Sequence, residues 1–209
     1  MAVIHRTTME PSKMELLGRW LPSRPWYSGP GRAEDLRRVG GFRLDDPAGE
    51  VGIDMLVVTD TGSAEPITYF VPLSYRGTEL EIDDDALLDT AEHGVLGTRW
   101  IYDATRDPVA VDRMVALLAG GAQAQHGTDS DSPDLSILVA AADLPAAGSR
   151  LVSASENPVG TDITVAEGQL RVHQVLGRSE PVLRTGQVVL PWTAPDGSTV
   201  RSVVLSELR

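Results

Sequence analysis

Cysteine is absent from this chain of 209 residues. Without a thiol, the protein can form no disulfide, no thiolate metal site, no iron–sulfur cluster and no cysteine nucleophile. Disulfides are rare in the reducing cytoplasm, so a chain without cysteine is expected to be cytoplasmic.

Basic side chains are also scarce. The chain has 18 Lys and Arg against 30 Asp and Glu, which gives a formal net charge of −12. Neutralising phosphates requires clustered basic residues, so this balance argues against nucleic acid or an anionic membrane as a partner. Lys13 is the one lysine, and its rarity beside abundant Ala, Gly, Arg, Asp and Val indicates a GC-rich bacterial genome.

Long apolar runs are missing as well. No stretch approaches the ~20 apolar residues of a membrane-spanning helix, and the N-terminus lacks the apolar segment of a signal peptide. The apolar share of 42% is nevertheless ordinary for a globular protein. We therefore expect a soluble, unexported protein with a buried core.

Two segments carry the signals of a helix start. Ser12 and Glu15 have the spacing of a capping box, in which each side chain accepts a hydrogen bond from a backbone N–H at the start of the helix. Asp107 before Pro108 is a typical N-cap followed by proline at the first helical position. The apolar residues expected on the buried face of this second helix are Val111, Met114, Val115 and Leu118.

The remaining N-terminal pattern predicts a sheet. Alternating apolar and polar residues indicate an antiparallel meander with strands at 39–44, 52–59 and 67–75. Pro72 lies in the third strand, where its missing N–H indicates an edge strand or a bulge. A short helical patch is predicted over 86–90.

The C-terminal pattern is almost entirely β. Polar, acidic residues at 127–134 indicate a linker. The strands predicted beyond it are 135–141, 150–155, 162–165, 169–176, 188–192 and 198–205. We therefore predict an α+β fold, with an antiparallel sheet and a few helices in residues 1–126 and a β-rich C-terminal module in residues 135–209.

Motifs for the common chemistries are missing. The chain has no phosphate-binding glycine loop, no dinucleotide fingerprint and no serine-nucleophile motif. Asp83-Asp84-Asp85 lacks the alternating ligands of a calcium loop. The histidines are dispersed in sequence, at His5, His93, His126 and His173. We expect neither a metal nor another cofactor.

One loop rich in proline and glycine concentrates side chains suited to ligand binding: Arg24, Trp26, Tyr27 and Arg32. An aromatic face can cover the apolar side of a sugar while guanidinium groups donate paired hydrogen bonds. The alternative, which we favour, is that Trp26 packs in the core and the loop surrounds it.

The segment from Glu92 to Asp103 is an alternative site. Glu92 beside His93 has the composition of a general base tuned by a carboxylate, with Arg99 or Asp103 as a further member. Adjacent residues of a strand point to opposite faces, however, which disfavours a Glu92–His93 dyad.

Several of these features occur together in one known family. Trp20-Leu21-Pro22 followed by the 24–32 loop is the most specific of them. The later motifs, in order, are Tyr69-Phe70-Val71-Pro72-Leu73, Val95-Leu96-Gly97, Tyr102-Asp103-Ala104 and Asp107-Pro108. Over about residues 11–122 the chain resembles the N-terminal cap domain of actinobacterial maltokinases.

In that family the cap leads into a kinase body that phosphorylates a sugar with ATP and carries a His-Gly-Asp catalytic loop. Here His93-Gly94 is followed by Val95, and the residues after the cap-like region read as β rather than as a helical kinase lobe. The resemblance therefore carries over no kinase residue, and kinase activity is not expected. It implies a free-standing cap-like protein.

Three functional hypotheses follow. The first is a non-catalytic binding or regulatory protein of α-glucan, maltose and trehalose metabolism, with a protein partner or a small carbohydrate as ligand. The second is a small enzyme that uses His93 in a cleft between the two modules. The third is a scaffold that forms a homo-oligomer through an edge strand near Pro72.

Overall fold

The computed structural model describes residues 9–82, 84–127 and 132–208. Within them are two α-helices, α1 (Lys13–Trp20) and α2 (Pro108–Leu118). The strands of the N-terminal part are β1 (Met9–Glu10), β2 (Leu36–Leu44), β3 (Val51–Asp60), β4 (Ile67–Arg76), β5 (Leu87–His93), β6 (Gly97–Asp103) and β7 (Gln125–His126). Those of the C-terminal part are β8 (Leu138–Ala140), β9 (Leu151–Asn157), β10 (Gly160–Val165), β11 (Gly168–His173), β12 (Val175–Leu176), β13 (Gln187–Thr193) and β14 (Thr199–Leu208).

The sheet is antiparallel throughout and closes on itself. Its strand order runs β1-β5-β6-β4-β3-β2-β13-β14-β11-β10-β9. β12 continues β11 beyond Gln174 and pairs with β4, which returns the path to a strand already in the sheet. The closed part therefore consists of β4, β3, β2, β13, β14 and the combined β11–β12, and strands from both parts of the sequence are needed to complete it.

Two glycines of β2 permit close contacts with the neighbouring strands, Gly40 with β13 and Gly41 with β3. Trp192 of β13 pairs with Gly40 of β2, and a Cβ at Gly40 would lie 3.1 Å from the Trp192 Cβ. Gly41 has φ +125°, and a Cβ there would lie 2.3 Å from the Met55 carbonyl oxygen. A larger residue at Gly41 would be both strained and blocked by backbone.

Two hydrophobic cores lie on opposite faces of β2, β3 and β4. Residues of β3 alternate between them, with Met55 and Val57 in one core and Leu56 and Val58 in the other. The first core also contains the apolar residues of α2 and inward residues from all the strands of the closed part, so it fills the interior. The second core lies under α1. This two-sided burial explains why β3 is nearly continuous in apolar residues.

Both predicted helix starts are confirmed. The Ser12 and Glu15 side chains form the capping box of α1. The Asp107 carboxylate accepts hydrogen bonds from the N–H groups of Val109 and Ala110 at the start of α2. Neither helix of the described residues is long and apolar enough to cross a membrane.

The helix predicted over 86–90 is wrong. Only Asp84–Ala86 forms a short 3₁₀ turn, and β5 begins at Leu87. β5 pairs with β6 on one side and β1 on the other. Within the predicted helix, Leu87, Asp89 and Thr90 pair with β6, and this strand pairing outweighs the weak helix preference of so short a segment.

The edge strand or bulge predicted at Pro72 is also wrong. β4 lies between β3 and β6, and its register with β3 is unbroken. Phe70 donates its N–H to the Gln174 carbonyl, away from β3, and the nitrogen of Pro72 faces the same side because the two residues are two apart. Pairing with β6 begins only at Leu73, so the missing N–H breaks no strand hydrogen bond.

The overall architecture is mostly antiparallel sheet with two short helices, which confirms the sheet but gives less helix than an α+β fold implies. The C-terminal strands extend the same sheet instead of forming a separate one. The first core likewise contains residues from both parts. The boundaries at residues 126 and 135 stay a prediction.

Candidate functional site

The 24–32 loop turns its large aromatic residue inward. The Trp26 side chain is 1% exposed and lies 5.9 Å, between ring centroids, from both Trp20 and Tyr69. Its Nε1–H donates to Glu156 Oε1 at 3.0 Å. Trp26 is therefore part of the second core and presents no ring face to solvent.

Glu156 of β9 also binds two arginines. Arg24 Nη1 lies 3.1 Å from Glu156 Oε2, and Arg106 Nη2 lies 3.7 Å from the same oxygen. All three side chains are largely buried, at 10% exposure for Arg24, 12% for Glu156 and 19% for Arg106. Glu156 thus joins the loop to the C-terminal strands through a charged contact, and charge-assisted hydrogen bonds in such surroundings are strong.

Tyr27 and Arg32, the other two candidate ligand-binding residues of this loop, differ in how accessible they are. The Tyr27 hydroxyl donates to the Asp60 carboxylate and accepts the Gly31 N–H at 3.0 Å. Arg32 pairs with Asp35, with 2.5 Å between Nε and Oδ2, and its side chain is 57% exposed. Arg32 remains accessible to a ligand, whereas Tyr27 is held by the loop itself.

The Glu92–His93 pair lies on the β5–β6 hairpin. Glu92 is opposite Thr98 and accepts a hydrogen bond from the Thr98 hydroxyl at 2.6 Å. His93 Nδ1 accepts the Leu96 N–H at 3.1 Å, which shapes the hairpin turn. Arg99 is opposite Ala91. Glu92 and His93 are adjacent on the strand and so face opposite sides, as the alternation of strand side chains requires.

Asp103, the further member considered for that site, is buried at the end of β6. Its Oδ1 accepts the N–H of Thr105 at 2.9 Å and the Thr105 hydroxyl at 2.8 Å. Burial raises the pKa of Asp103 to about 6, although the hydrogen bonds from Thr105 act in the opposite direction. The folded protein therefore binds this proton more tightly than the unfolded chain does.

Replacing Asp103 with asparagine is expected to stabilise the protein at pH 7.5 by up to about 3 kcal/mol, because asparagine keeps an acceptor for Thr105 without a buried charge. The wild type loses this stability as pH rises from about 4, where the unfolded aspartate titrates, to about 6, the folded pKa. Urea unfolding of both proteins between pH 4 and 7.5 measures the difference.

The comparison must be made between the two proteins at each pH. The pKa of His173 is lowered to about 4, chiefly by burial, so His173 destabilises both proteins as pH falls below its unfolded value. Asp143→Asn, on an exposed loop, is the matched control and should leave the pH dependence unchanged. A constant difference between wild type and Asp103→Asn across this range would contradict the assignment.

The remaining histidines occupy separate places. His126 Nδ1 lies 3.7 Å from Asp134 Oδ2, and His173 Nε2 lies 2.8 Å from the Ser206 hydroxyl. His5 and Asp83 lie outside the described residues. In the part of the chain that the structure describes, no group of three or more His, Asp or Glu side chains could hold a metal.

A cleft of about 510 Å³ opens beside the closed part of the sheet. It is lined by the start of β4, by β12 and the residues after it, and by the turn between β13 and β14. Ile67 is partly exposed there, whereas Leu176 and Trp192 are core residues that are 7% and 3% exposed. The ion pair of Arg178 and Asp196, 2.5 Å apart, provides charged groups. His93 is not among its lining residues.

Sequence reasoning missed this cleft. Its N-terminal residues, near 66–68, and its C-terminal ones, beyond residue 175, come together only because β12 pairs with β4. The one available signal was the turn sequence Pro195-Asp196-Gly197, which predicts a hairpin but not its neighbours.

Residues 20–107 match the family model of the maltokinase N-terminal cap domain. The match confirms the resemblance carried by the Trp20 and Arg24–Arg32 motifs. No curated protein matches the chain. The match ends at Asp107, the N-cap of α2, so the cleft is lined by residues of the cap domain and by residues beyond it.

Proposed function

We propose that this protein is a non-catalytic binding protein of α-glucan, maltose or trehalose metabolism, and that its ligand is a small carbohydrate bound in the cleft beside β12. The association with this metabolism is supported by the maltokinase cap domain at residues 20–107. The cleft that the cap domain shares with the C-terminal strands is the observation that carries the binding role.

The chemistry of the cleft suits a sugar. Carbohydrates have apolar faces of C–H groups and a rim of hydroxyls, and binding sites match them with apolar side chains and a few polar groups. Ile67 supplies most of the former, since Leu176 is only 7% exposed, while Arg178 and Asp196 can donate and accept hydrogen bonds. The two charged side chains are each 57% exposed, so a ligand can reach them without unfolding a neighbour.

A non-catalytic role agrees with the contacts of the candidate catalytic groups. His93 Nδ1 accepts backbone N–H groups of its own turn, and the Glu92 carboxylate accepts the Thr98 hydroxyl. Among the described residues that line the cleft are Arg178 and Asp196 but no histidine. We therefore favour binding over the small-enzyme hypothesis that places His93 in an inter-module cleft.

The 24–32 loop is the competing location for the same ligand. Arg24 and Trp26 would have to leave Glu156 before they could contact a sugar, which breaks a buried charged contact. Arg32 is the loop candidate that a ligand can reach directly. Variants of Arg178 and Arg32 therefore distinguish the two locations.

Titration calorimetry with maltose, trehalose, maltose 1-phosphate and ATP tests the proposal. We expect heat with at least one of the sugars, and about tenfold weaker binding in Arg178→Ala, since a lost charged hydrogen bond costs about that much. Arg32→Ala and Arg150→Ala, a control on an exposed residue, should bind like wild type. Heat with none of the four ligands would refute a sugar ligand, and weakened binding in Arg32→Ala alone would place it at the loop.

A further inference from the structure

A group of cationic side chains lies beside the start of α1, apart from the cleft. Lys13 is the first residue of α1, and Arg38 and Arg43 lie on β2. Asp54 of β3 and Tyr75 of β4 complete the group. We refer to these five residues as the Lys13 cluster.

Asp54 is the carboxylate common to the three cations. The Lys13 ammonium is hydrogen-bonded to Asp54 Oδ2, and Arg38 Nη2 lies 3.8 Å from Asp54 Oδ1. Arg43 is directly opposite Asp54 in the β2–β3 register. All three cations influence the Asp54 carboxylate electrostatically. Asp54 is 7% exposed, whereas Lys13 and Arg38 are 34% and 35% exposed, so the cluster opens to solvent on its cationic side.

At neutral pH, Lys13 and Asp54 are charged and Tyr75 is neutral. Burial opposes the charged forms of the first two groups, but the pKa of Asp54 is lowered by Lys13 and Arg38, and that of Lys13 is raised by Tyr75 and Asp54. Burial raises the pKa of Tyr75 to about 12, so its hydroxyl is neutral. Among the described residues, three positive charges therefore share the one carboxylate of Asp54, in a chain that is strongly acidic overall.

We propose that the Lys13 cluster binds a small phosphate-bearing anion, either free phosphate or the phosphate group of an ester. A dianion would balance the two positive charges that Asp54 leaves uncompensated in the described cluster, and a neutral ligand would not. A lysine ammonium and arginine guanidinium groups are the side chains that bind phosphate in proteins. Within the described residues, the buried Nε–H of Arg43 has no hydrogen-bond acceptor and the buried Asp54 Oδ1 has no donor, so the two do not satisfy each other and the Arg43 donor is left unused.

The site is independent of the proposed sugar cleft. Its residues come from α1, β2, β3 and β4, while the cleft uses only the first residues of β4 together with C-terminal residues. A sugar phosphate could bind the cluster with its phosphate group without placing its sugar in the cleft. Failure at one site therefore leaves the other proposal standing.

Calorimetry with inorganic phosphate, a hexose phosphate and the matching free hexose tests the inference. We expect binding of both phosphate compounds at the cluster and none of the free hexose there, with affinity that falls as salt is raised. Equal affinity for the two phosphate compounds would assign recognition to the phosphate group. Tighter binding of the ester would assign a part of it to the attached group.

The test includes variants that should weaken phosphate binding and one that should tighten it, so that a loss of folding cannot explain both results. Lys13→Gln and Arg38→Gln should each weaken phosphate binding by about tenfold. Asp54→Asn should tighten it, because the competing carboxylate charge is removed while the shape is kept, and a merely destabilised fold would not bind more tightly. Arg19→Gln is the matched control, since Arg19 lies on α1 but pairs with Asp89 and is 62% exposed. Undetectable phosphate binding at millimolar concentration, or equal affinity in wild type and Lys13→Gln, would overturn the proposal.

Discussion

Replacing Asp107 with alanine is expected to lower the free energy of unfolding by about 3–5 kcal/mol, the usual cost of removing one partner of a buried ion pair. The Asp107 carboxylate is fully buried and receives two hydrogen bonds from Arg76, at 2.8 Å from Nε and 2.6 Å from Nη2. It also caps α2 through the N–H groups of Val109 and Ala110. Alanine would leave the Arg76 guanidinium without its paired acceptor and the helix without its cap.

Urea unfolding monitored by circular dichroism measures this loss. Asp162→Ala is the matched control, because Asp162 also accepts two hydrogen bonds from one guanidinium, that of Arg171, but the pair is about one-third exposed. Such surface pairs contribute about 1 kcal/mol or less. Asp107→Asn should fall between the two, since it keeps an acceptor for the helix N–H groups. Equal losses in Asp107→Ala and Asp162→Ala would show that burial does not set the strength of the pair.

Replacing Glu156 with alanine is expected to cost a similar amount, again about 3–5 kcal/mol. The substitution removes the shared partner of Arg24 and Arg106 and the acceptor of the Trp26 Nε1–H. Two largely buried guanidinium groups would be left close together, and a buried indole donor would lose its hydrogen bond. The loop that carries Arg24 and Trp26 should then detach from β9 before the rest of the fold unfolds.

Hydrogen exchange measured beside urea unfolding distinguishes local from global loss. We expect faster exchange at residues near Trp26 and in β9 of Glu156→Ala, while α2 exchanges at the global rate. Glu156→Gln should lose less, because it keeps an acceptor for Trp26. Glu180→Ala is the control, since Glu180 lies 3.9 Å from Arg201 and is 67% exposed. A loss in Glu156→Ala no larger than in Glu180→Ala would mean that the junction contributes nothing beyond surface electrostatics.

Local features of the fold were predictable from the sequence. The capping box at Ser12 and Glu15 and the Asp107–Pro108 start of α2 depend on residues within a few positions of one another. The three-strand meander depends on alternation along each strand and on short turns between strands. Such signals survive in the folded protein because tertiary contacts reinforce them.

The predictions from sequence were wrong where pairing with residues distant in the chain determines the local structure. Residues 87–90 became strand because β6 pairs with them, at Leu87, Asp89 and Thr90. Pro72 is tolerated inside the sheet because pairing with β6 starts one residue later, which the local sequence does not reveal. The self-association hypothesis needed an edge strand at Pro72, and β4 is an interior strand.

In the 24–32 loop, too, the local features were predictable from the sequence and the distant contact was not. Its motifs, with those that follow, predicted a resemblance to the maltokinase cap domain over about residues 11–122, and the family model matches residues 20–107. Its preferred interpretation, with Trp26 in the core, agrees with the 1% exposure of that side chain. Its main partner, Glu156, lies 130 residues further along the chain from Trp26, and no local pattern identifies it.

The sequence by itself therefore determined the helix starts, the meander, the strand-rich C-terminal part and the cap-domain motifs, because each depends on residues close together in the chain. Tertiary structure alone decided the closure of the sheet by β12, the Glu156 junction, the cleft and the Lys13 cluster. The physical reason is that each of these joins side chains from separate strands, and their approach is set by pairing across the whole sheet rather than by local preference.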